Sequence, residues 1–237
     1  MSRFYCPTIS DGVLSREESH HVCKVLRLGV GDECEVFDGF GTVARVRLTQ
    51  VNKHATRFVT ISVNRQPAPD YRLILGQCLP KNKSWDFILQ KATELGLHEI
   101  YPIAGEHSVT RADGAQPGKW RLTLIEACKQ CGQNRAPLLH SVTDLRGFLD
   151  RVNVSGFKGL RLIASLQSDA RLLSAVLAVA ADREVLFLVG PEGDFGAEET
   201  RLAISAGFQP VTLGDLVLRV ETATLFLTSV LTNHLRR

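Results

Sequence analysis

EVLFLVGPEGDFGAEETRLAISAG, residues 184–207, reads as a strand, a glycine-rich loop and a helix in one run. The opening EVLFLV is apolar almost without a break, as in a strand buried on both faces of a parallel sheet. Gly190, Gly193 and Gly196 let the backbone turn tightly and approach a ligand closely. The helix behind them offers free N–H groups to whatever lies in the loop. The spacing is GxxGxxG, not the GxGxxG of dinucleotide-binding folds, and it comes late in the chain rather than opening the domain. A nicotinamide or flavin enzyme is therefore disfavoured. Taken alone, the loop reads equally well as a connection without chemistry.

Downstream, QPVTL (209–213) is a strand and ETATLFLTSVLTNHL (221–235) a long apolar helix. Between them, TLGDLVLRVETA (212–223) makes a second loop after a strand, with Arg219 and Glu221 just ahead of the helix. A surface ion pair and a helix-start acid explain these two residues when they are taken singly. Two such loops at neighbouring strand ends form a crevice of the kind in which open α/β sheets bind ligands. Upstream, RLILGQCL (72–79), EIYPI (99–103) and LRLIASL (160–166) are strands. Helical spacing appears over 85–95, 119–131 and about 169–181. Strand–helix alternation of this kind argues for a mainly parallel sheet with helices on both faces.

The first 65 residues have another rhythm. DECEVFD (32–38), TVARVRLTQV (42–51) and ATRFVTISV (55–63) alternate with period two, and DGFG (38–41) supplies a hairpin turn. SREESHHVCKVLRL (15–28) reads as a helix with Val22, Val25, Leu26 and Leu28 on its apolar side, started by a Ser15–Glu18 capping box. Short strands with one helix suggest a small barrel. NRQPAPD (64–70) is the linker. The expected division is a β-barrel over 1–68 and an α/β domain over 71–237.

Hydrophobic residues make up 44% of the 237 and charged residues 22%, an ordinary globular balance. No stretch reaches the roughly 18 apolar residues of a membrane span. The start MSRFYCPTISDG lacks the apolar core of a secretory signal, so a cytoplasmic location is expected. The net charge of +3 is compatible with a nucleic-acid partner and proves none. Six cysteines read as reduced thiols. Cys128 and Cys131 form a CxxC inside a helical pattern with no second Cys/His pair nearby, so no metal is expected.

GPEGDF (190–195) with LGDLVLRVETA (213–223) resembles the cofactor-loop pair of the RsmE family, within the SPOUT class of knotted methyltransferases. The likeness extends through HHVCKVLRLGVGDECEVFDGFG (20–41), KNKSWDFILQKATELGLHEIYPI (81–103), EHSVTR (106–111) and the WRLTLIEACKQCGQNRAP run (120–137). Two positions depart from the family pattern: Asp194 replaces the last glycine of GPEGG, and Gln133 stands where arginine is common. At 194 either no left-handed backbone is needed or Asp tolerates one.

The resemblance implies a PUA-like β-barrel followed by a SPOUT α/β domain, a mainly parallel sheet ending in a C-terminal trefoil knot. It implies S-adenosyl-L-methionine as cofactor, N3 of a uridine in 16S ribosomal RNA of the small ribosomal subunit as target, and a homodimer. The cofactor contacts would come from Ser165 and Leu166, from Leu188, Val189, Gly190, Pro191, Glu192 and Gly193, and from Leu213, Gly214, Leu216, Leu218 and Arg219. Arg219 would stabilise charge developing on the base, and Glu221 or Glu192 would accept its proton. RNA contacts are expected from Arg3, His20, His21, Lys24, Arg27, Lys81, Lys83, Arg111, Asn134 and Arg135. Leu225, Phe226, Leu227, Val230 and Leu231 make the last helix apolar on more than one side, so it is fully buried or shared with a second subunit. The alternatives are a SPOUT enzyme with another base or ribose target, and an RNA-binding homologue without catalysis.

Overall fold

A computed structural model of the chain describes residues 1–80, 84–105 and 116–237. Lys81, Lys83 and the EHSVTR segment with Arg111 lie outside the described residues. The chain forms two compact units, Met1–Pro69 with Ile125–Ala136, and Asp70–Leu124 with Pro137–Arg237.

In the first unit, β1 (Arg3–Tyr5), β2 (Glu33–Phe37), β3 (Thr42–Gln50) and β4 (Arg57–Arg65) form one sheet in that order. β1 runs parallel to β2, and the other pairs are antiparallel. Asp38 closes the β2–β3 turn, its Oδ1 accepting from the N–H groups of Phe40 at 2.7 Å and Thr42 at 2.9 Å. Phe4, Leu14, Val22, Cys34, Val36, Val46, Leu48 and Phe58 pack into the core beneath.

The expected single helix over 15–28 is two structures, α1 (Arg16–His20) and a π-helical turn, His21–Leu26, ending at Arg27 with φ 53°. The wider π turn breaks the 3.6-residue period on which the apolar side was reckoned. Val22 is buried, whereas Val25 is 61% exposed and Leu26 39%. The capping box forms only by half. Ser15 Oγ accepts from Glu18 N–H at 3.2 Å, but the Glu18 carboxylate turns away to Tyr5 N–H and Lys129.

The second unit holds β5 (Arg72–Cys78), α2 (Ser84–Glu94), β6 (Glu99–Ile103), the start of α3 (Pro117–Cys131), β7 (Leu138–Leu139), α4 (Leu145–Val154), β8 (Leu160–Ala164), β9 (Arg171–Leu172), α5 (Leu173–Leu177), β10 (Glu184–Val189), α6 (Ala197–Ser205), β11 (Gln209–Thr212) and α7 (Val220–Leu235). The sheet order is β7-β6-β5-β10-β8-β11-β9, and every pair is parallel. On one face Leu73, Leu75, Val185 and Phe187 pack with α2, α5 and α7. On the other, Ile74, Ile163, Leu186 and Leu188 pack with α4 and α6. α4, capped by Asp144 on Gly147 N–H at 2.7 Å, has no counterpart in the sequence reading. The helix expected over about 169–181 shortens to α5, because Arg171–Leu172 extend to pair with β11. α7 follows β11 yet packs on β10 and β5, so the chain crosses back over the strand ends to reach them.

At the opposite ends of the strands, Glu99 joins an ionic cluster. Arg72 Nε donates to its Oε1 at 2.6 Å, and His140 Nε2 lies 2.9 Å from its Oε2. The His140 ring stacks on Tyr101 at 3.6 Å. Burial pushes the Glu99 carboxyl up, but the hydrogen bond from His140 and the charge and hydrogen bonding of Arg72 outweigh it and hold the group below its usual range. A carboxylate depressed in the folded state stabilises the fold above its ordinary pKa, and that stability disappears as pH falls through the folded value. Glu99→Gln is expected to flatten the acid limb of a urea-midpoint-against-pH curve. An unchanged acid limb would exclude Glu99 as its source.

Candidate active site

The loops after β8 (165–170), β10 (190–196) and β11 (213–219) leave the same edge of the sheet, because β10, β8 and β11 are adjacent and parallel. That edge, at the carboxyl ends of the strands, is where open α/β sheets place their ligands.

Each loop is held by its own short bonds. Ser165 N–H donates to Val211 O at 3.0 Å, and Ser165 Oγ accepts from Gln167 N–H at 3.2 Å. Gly190 sits where a Cβ would come within 3.1 Å of Phe195 N, so a side chain there would crowd the tight approach of Asp194 and Phe195. Asp194 N–H donates to Pro191 O at 3.0 Å, closing the turn. In the third loop Thr212 Oγ1 donates to Gly214 O at 3.1 Å.

Asp194 resolves the question left open by the sequence. Its φ is 62°, so the left-handed conformation is required and Asp adopts it. Its Oδ1 accepts from Phe195 N–H at 2.8 Å, and its Oδ2 accepts a longer bond from Leu166 N–H at 3.4 Å. The side chain thus links the β10 loop to the β8 loop. Asp194→Ala keeps the strained backbone but removes both bonds, with an expected loss of about 1–2 kcal/mol of stability. Asp194→Asn, whose single amide oxygen can keep the shorter bond from Phe195 N–H but not the longer one from Leu166 N–H, is expected to lose less than the alanine variant in a urea titration. Equal midpoints for the alanine variant and the wild type would show that the bonds contribute nothing.

The expected cofactor residues divide into two groups. Leu188, Val189, Gly190 and Pro191 are buried. Leu213 and Leu218 are half-buried and pack on the sheet core. Leu166 and Leu216 instead stand 63% and 79% exposed. Nothing would meet a Cβ within 4 Å at Gly193 or Gly214, so both loops face open space. Open backbone flanked by exposed leucines suits a ligand with an apolar ring that is read by main-chain groups.

A phosphate suits it less. The first turn of α6 already carries Glu198 and Glu199, and Glu199 Oε2 accepts from Gly196 N–H at 3.0 Å. The helix end expected to offer free N–H groups is therefore met by carboxylates from its own chain. Arg219 is the N-cap residue of α7 through its backbone; its side chain is exposed and makes no cap bond. Glu221 is half-buried in the first turn of α7, and Glu192 is exposed in the β10 loop.

In the first unit His20, Lys24 and Arg27 are exposed on α1 and the π turn, while His21 packs its ring edge-on to Phe4 at 5.9 Å. Arg3 is committed internally. Its guanidinium donates to Gly132 O at 2.8 Å, Gln133 O at 3.0 Å and Asn134 Oδ1 at 2.6 Å. Arg135 donates to Gln66 O at 2.8 Å and fills the space where a Cβ on Gly41 would be. These side chains hold the 132–135 turn in place.

Gln77 was not singled out by the sequence reading. It is fully buried at the end of β5, with its amide donating to Val189 O at 3.3 Å. The available signal was a lone amide in RLILGQCL, at the position where an alternating row would place another leucine.

Among the described residues no cluster of His, Cys, Asp or Glu has metal-site geometry, and no helix is long and apolar enough to cross a membrane. Residues 66–232 match the family model for an RNA methyltransferase domain, and residues 14–59 that for an RNA methyltransferase PUA domain. The structure is similar to the ribosomal RNA small subunit methyltransferase E of Neisseria gonorrhoeae bound to S-adenosyl methionine, at 30% identity and TM-score 0.86 over 98% of this chain and 97% of that one. It is also similar to a methyltransferase of Legionella pneumophila in complex with the same cofactor, at 28% identity and TM-score 0.83 over 98% and 96% of the two chains. The Synechocystis ribosomal RNA small subunit methyltransferase E is 29% identical over 89% of this chain and 69% of its own length. With more than half its length matching the RNA methyltransferase domain, this chain belongs to that family, in the group of the small subunit methyltransferases E that its loop motifs resemble.

Proposed function

We propose that this protein uses S-adenosylmethionine to methylate N3 of a uridine in 16S ribosomal RNA of the small subunit, in the cytoplasm. The observation that carries the reading is the meeting of three loops at the carboxyl edge of β10, β8 and β11, in a chain that matches a cofactor-bound relative end to end. The return of α7 across that edge is consistent with the knot implied by the resemblance. The second unit is the catalytic module and the first the RNA-gripping one.

When bound, the cofactor supplies a methyl group made electrophilic by a positively charged sulfur. Ser165, Leu166, the main chain from Leu188 to Gly193, the segment Leu213–Leu218 and the main chain of Arg219 would hold it. The protein's remaining task is to bring N3 in line and at near-attack distance. Uridine N3 carries a proton and has no free lone pair until that proton leaves. Arg219 stabilises the negative charge that then spreads to the base oxygens. Glu221 or Glu192 takes the proton, directly or through water.

His20, His21, Lys24 and Arg27 with Lys81, Lys83 and Arg111 contact phosphates and set the register, so binding weakens steeply with salt. Arg3, Asn134 and Arg135 support the 132–135 turn. Leu216, Val217 and Phe226 are 79%, 76% and 41% exposed, an apolar surface that a second copy of the chain would cover. Mass spectrometry of nucleosides from 16S RNA tests the reading. 3-methyluridine should disappear in cells lacking the gene and return when it is restored. An unchanged level would reject the uridine-N3 assignment.

A further inference from the structure

The C-terminal end of β5 carries a buried amide that the proposed mechanism does not use. Leu73, Leu75 and Gln77 lie in one row on the sheet face covered by α7. The first two are core leucines, and Gln77 is equally buried, at 0% exposure. A leucine at 77 would continue the row, so burial alone does not account for a polar group there.

Every polar atom of that side chain is engaged. Nε2 donates to Cys78 O at 2.9 Å and to Val189 O at 3.3 Å. Oε1 lies 2.5 Å from Thr224 Oγ1, which is itself 2.9 Å from Val220 O. The hydroxyl has one proton, and the shorter contact takes it. Turning the amide over would set Oε1 against two carbonyl oxygens, so the network admits one orientation. Thr224 is also fully buried, and its carbonyl accepts from Thr228 Oγ1 at 2.7 Å.

The partners belong to the two sides of the candidate site. Val189 is the last residue before Gly190 and the cofactor loop. Thr224 lies in the first turns of α7, five residues beyond its N-cap Arg219. We propose that Gln77 is a positioning residue, which fixes the Arg219 end of α7 against the β10 cofactor loop by bonding both through one rigid amide. The inference rests on the methyltransferase reading above. It adds to that reading a residue that touches neither substrate nor cofactor. A satisfied buried network specifies one arrangement where an apolar contact would permit sliding.

The test uses Gln77→Leu, Thr224→Val, Thr224→Ser and the Gln77→Leu/Thr224→Val double variant of the full chain. Three quantities are read: the urea midpoint, S-adenosylmethionine affinity by calorimetry, and the single-turnover methylation rate on small-subunit RNA. Gln77→Leu is expected to fold with a midpoint near wild type, since leucine suits the row, but to lose about tenfold in cofactor affinity or turnover. Thr224→Val should show the same loss, Thr224→Ser should recover most of it, and the double variant should be no worse than the worse single one. If Gln77→Leu does not fold, Thr224→Val, which leaves the amide in place, carries the test. Folded variants that bind and turn over within about twofold of wild type would overturn the proposal, as would losses that add in the double variant. A wild-type protein that neither binds the cofactor nor methylates RNA would instead overturn the function on which it rests.

Discussion

Arg219→Ala is expected to lower the single-turnover methylation rate by about 10²–10³-fold while leaving S-adenosylmethionine affinity unchanged. The geometry makes this substitution structurally quiet. Arg219 caps α7 through its backbone, its carbonyl accepting from Ala223 N–H at 2.8 Å, and alanine retains that bond. The side chain is exposed and makes no cap bond, so its removal leaves no buried group unsatisfied. On the mechanism proposed above, what is lost is a positive charge that would stand beside the base as N3 gives up its proton. Arg219→Lys, which keeps the charge without the planar fork of donors, should recover only part of the rate. An alanine variant with wild-type turnover would remove Arg219 from the mechanism. One that loses cofactor affinity and rate together would make it a binding residue.

The second large effect is on stability. Glu18→Ala or Lys129→Ala is expected to cost about 3–5 kcal/mol, read as a fall in urea midpoint at constant slope. The two side chains are each only 9% exposed, and Lys129 Nζ donates to both carboxylate oxygens of Glu18, at 3.0 and 3.1 Å. Glu18 Oε1 also accepts from Tyr5 N–H at 3.3 Å, and Lys129 reaches Glu126 at 2.9 Å. Removing either partner leaves a charge in a poorly solvated place. A Glu18→Gln/Lys129→Met pair, which leaves no such charge, should recover much of the loss. Burial pulls the Lys129 ammonium down, but its bonds to Glu126 and Glu18, with the charge of those carboxylates, outweigh it and the group is raised overall. A cation raised in the folded state stabilises the fold below its ordinary pKa and loses that contribution only as pH climbs through the folded value. The deficit of the Lys129→Ala variant should therefore be constant through the neutral range and shrink only in strong alkali. A single variant within about 1 kcal/mol of wild type would show that the pair is solvated in solution.

Much of the catalytic unit was legible because its signals are local. A continuous apolar strand, a glycine loop and a capped helix are spelled out between residues 184 and 207, and β10 and α6 fall there. β5, β6, β8 and β11 were legible for the same reason, as short apolar runs bounded by breakers. The 15–28 segment failed where local signals conflict with geometry. Its apolar residues suit an α period, yet a π turn ending in left-handed Arg27 leaves Val25 and Leu26 in solvent. The capping box failed by competition, since a buried lysine more than a hundred residues away is a better partner for Glu18 than its own helix start.

The amino-acid order by itself determined the class of fold, the β-rich to α/β change of rhythm, and the two glycine-bearing loops to which the chemistry is assigned. Those features depend on periodicity, on glycine and proline, and on motif spacing, all written within a few residues of one another. Tertiary structure alone decided that residues 125–136, the end of a helix begun in the second unit and the turn after it, pack with the first. It decided that Arg3 and Arg135 brace a turn and do not stand free, and that Asp194 is left-handed and joins two loops. It also decided that a lone glutamine in an apolar strand bonds the end of β10 to the last helix. Each of these depends on partners far apart in sequence, and a hydrogen bond or ion pair across such a distance exists only once packing has brought the groups to contact.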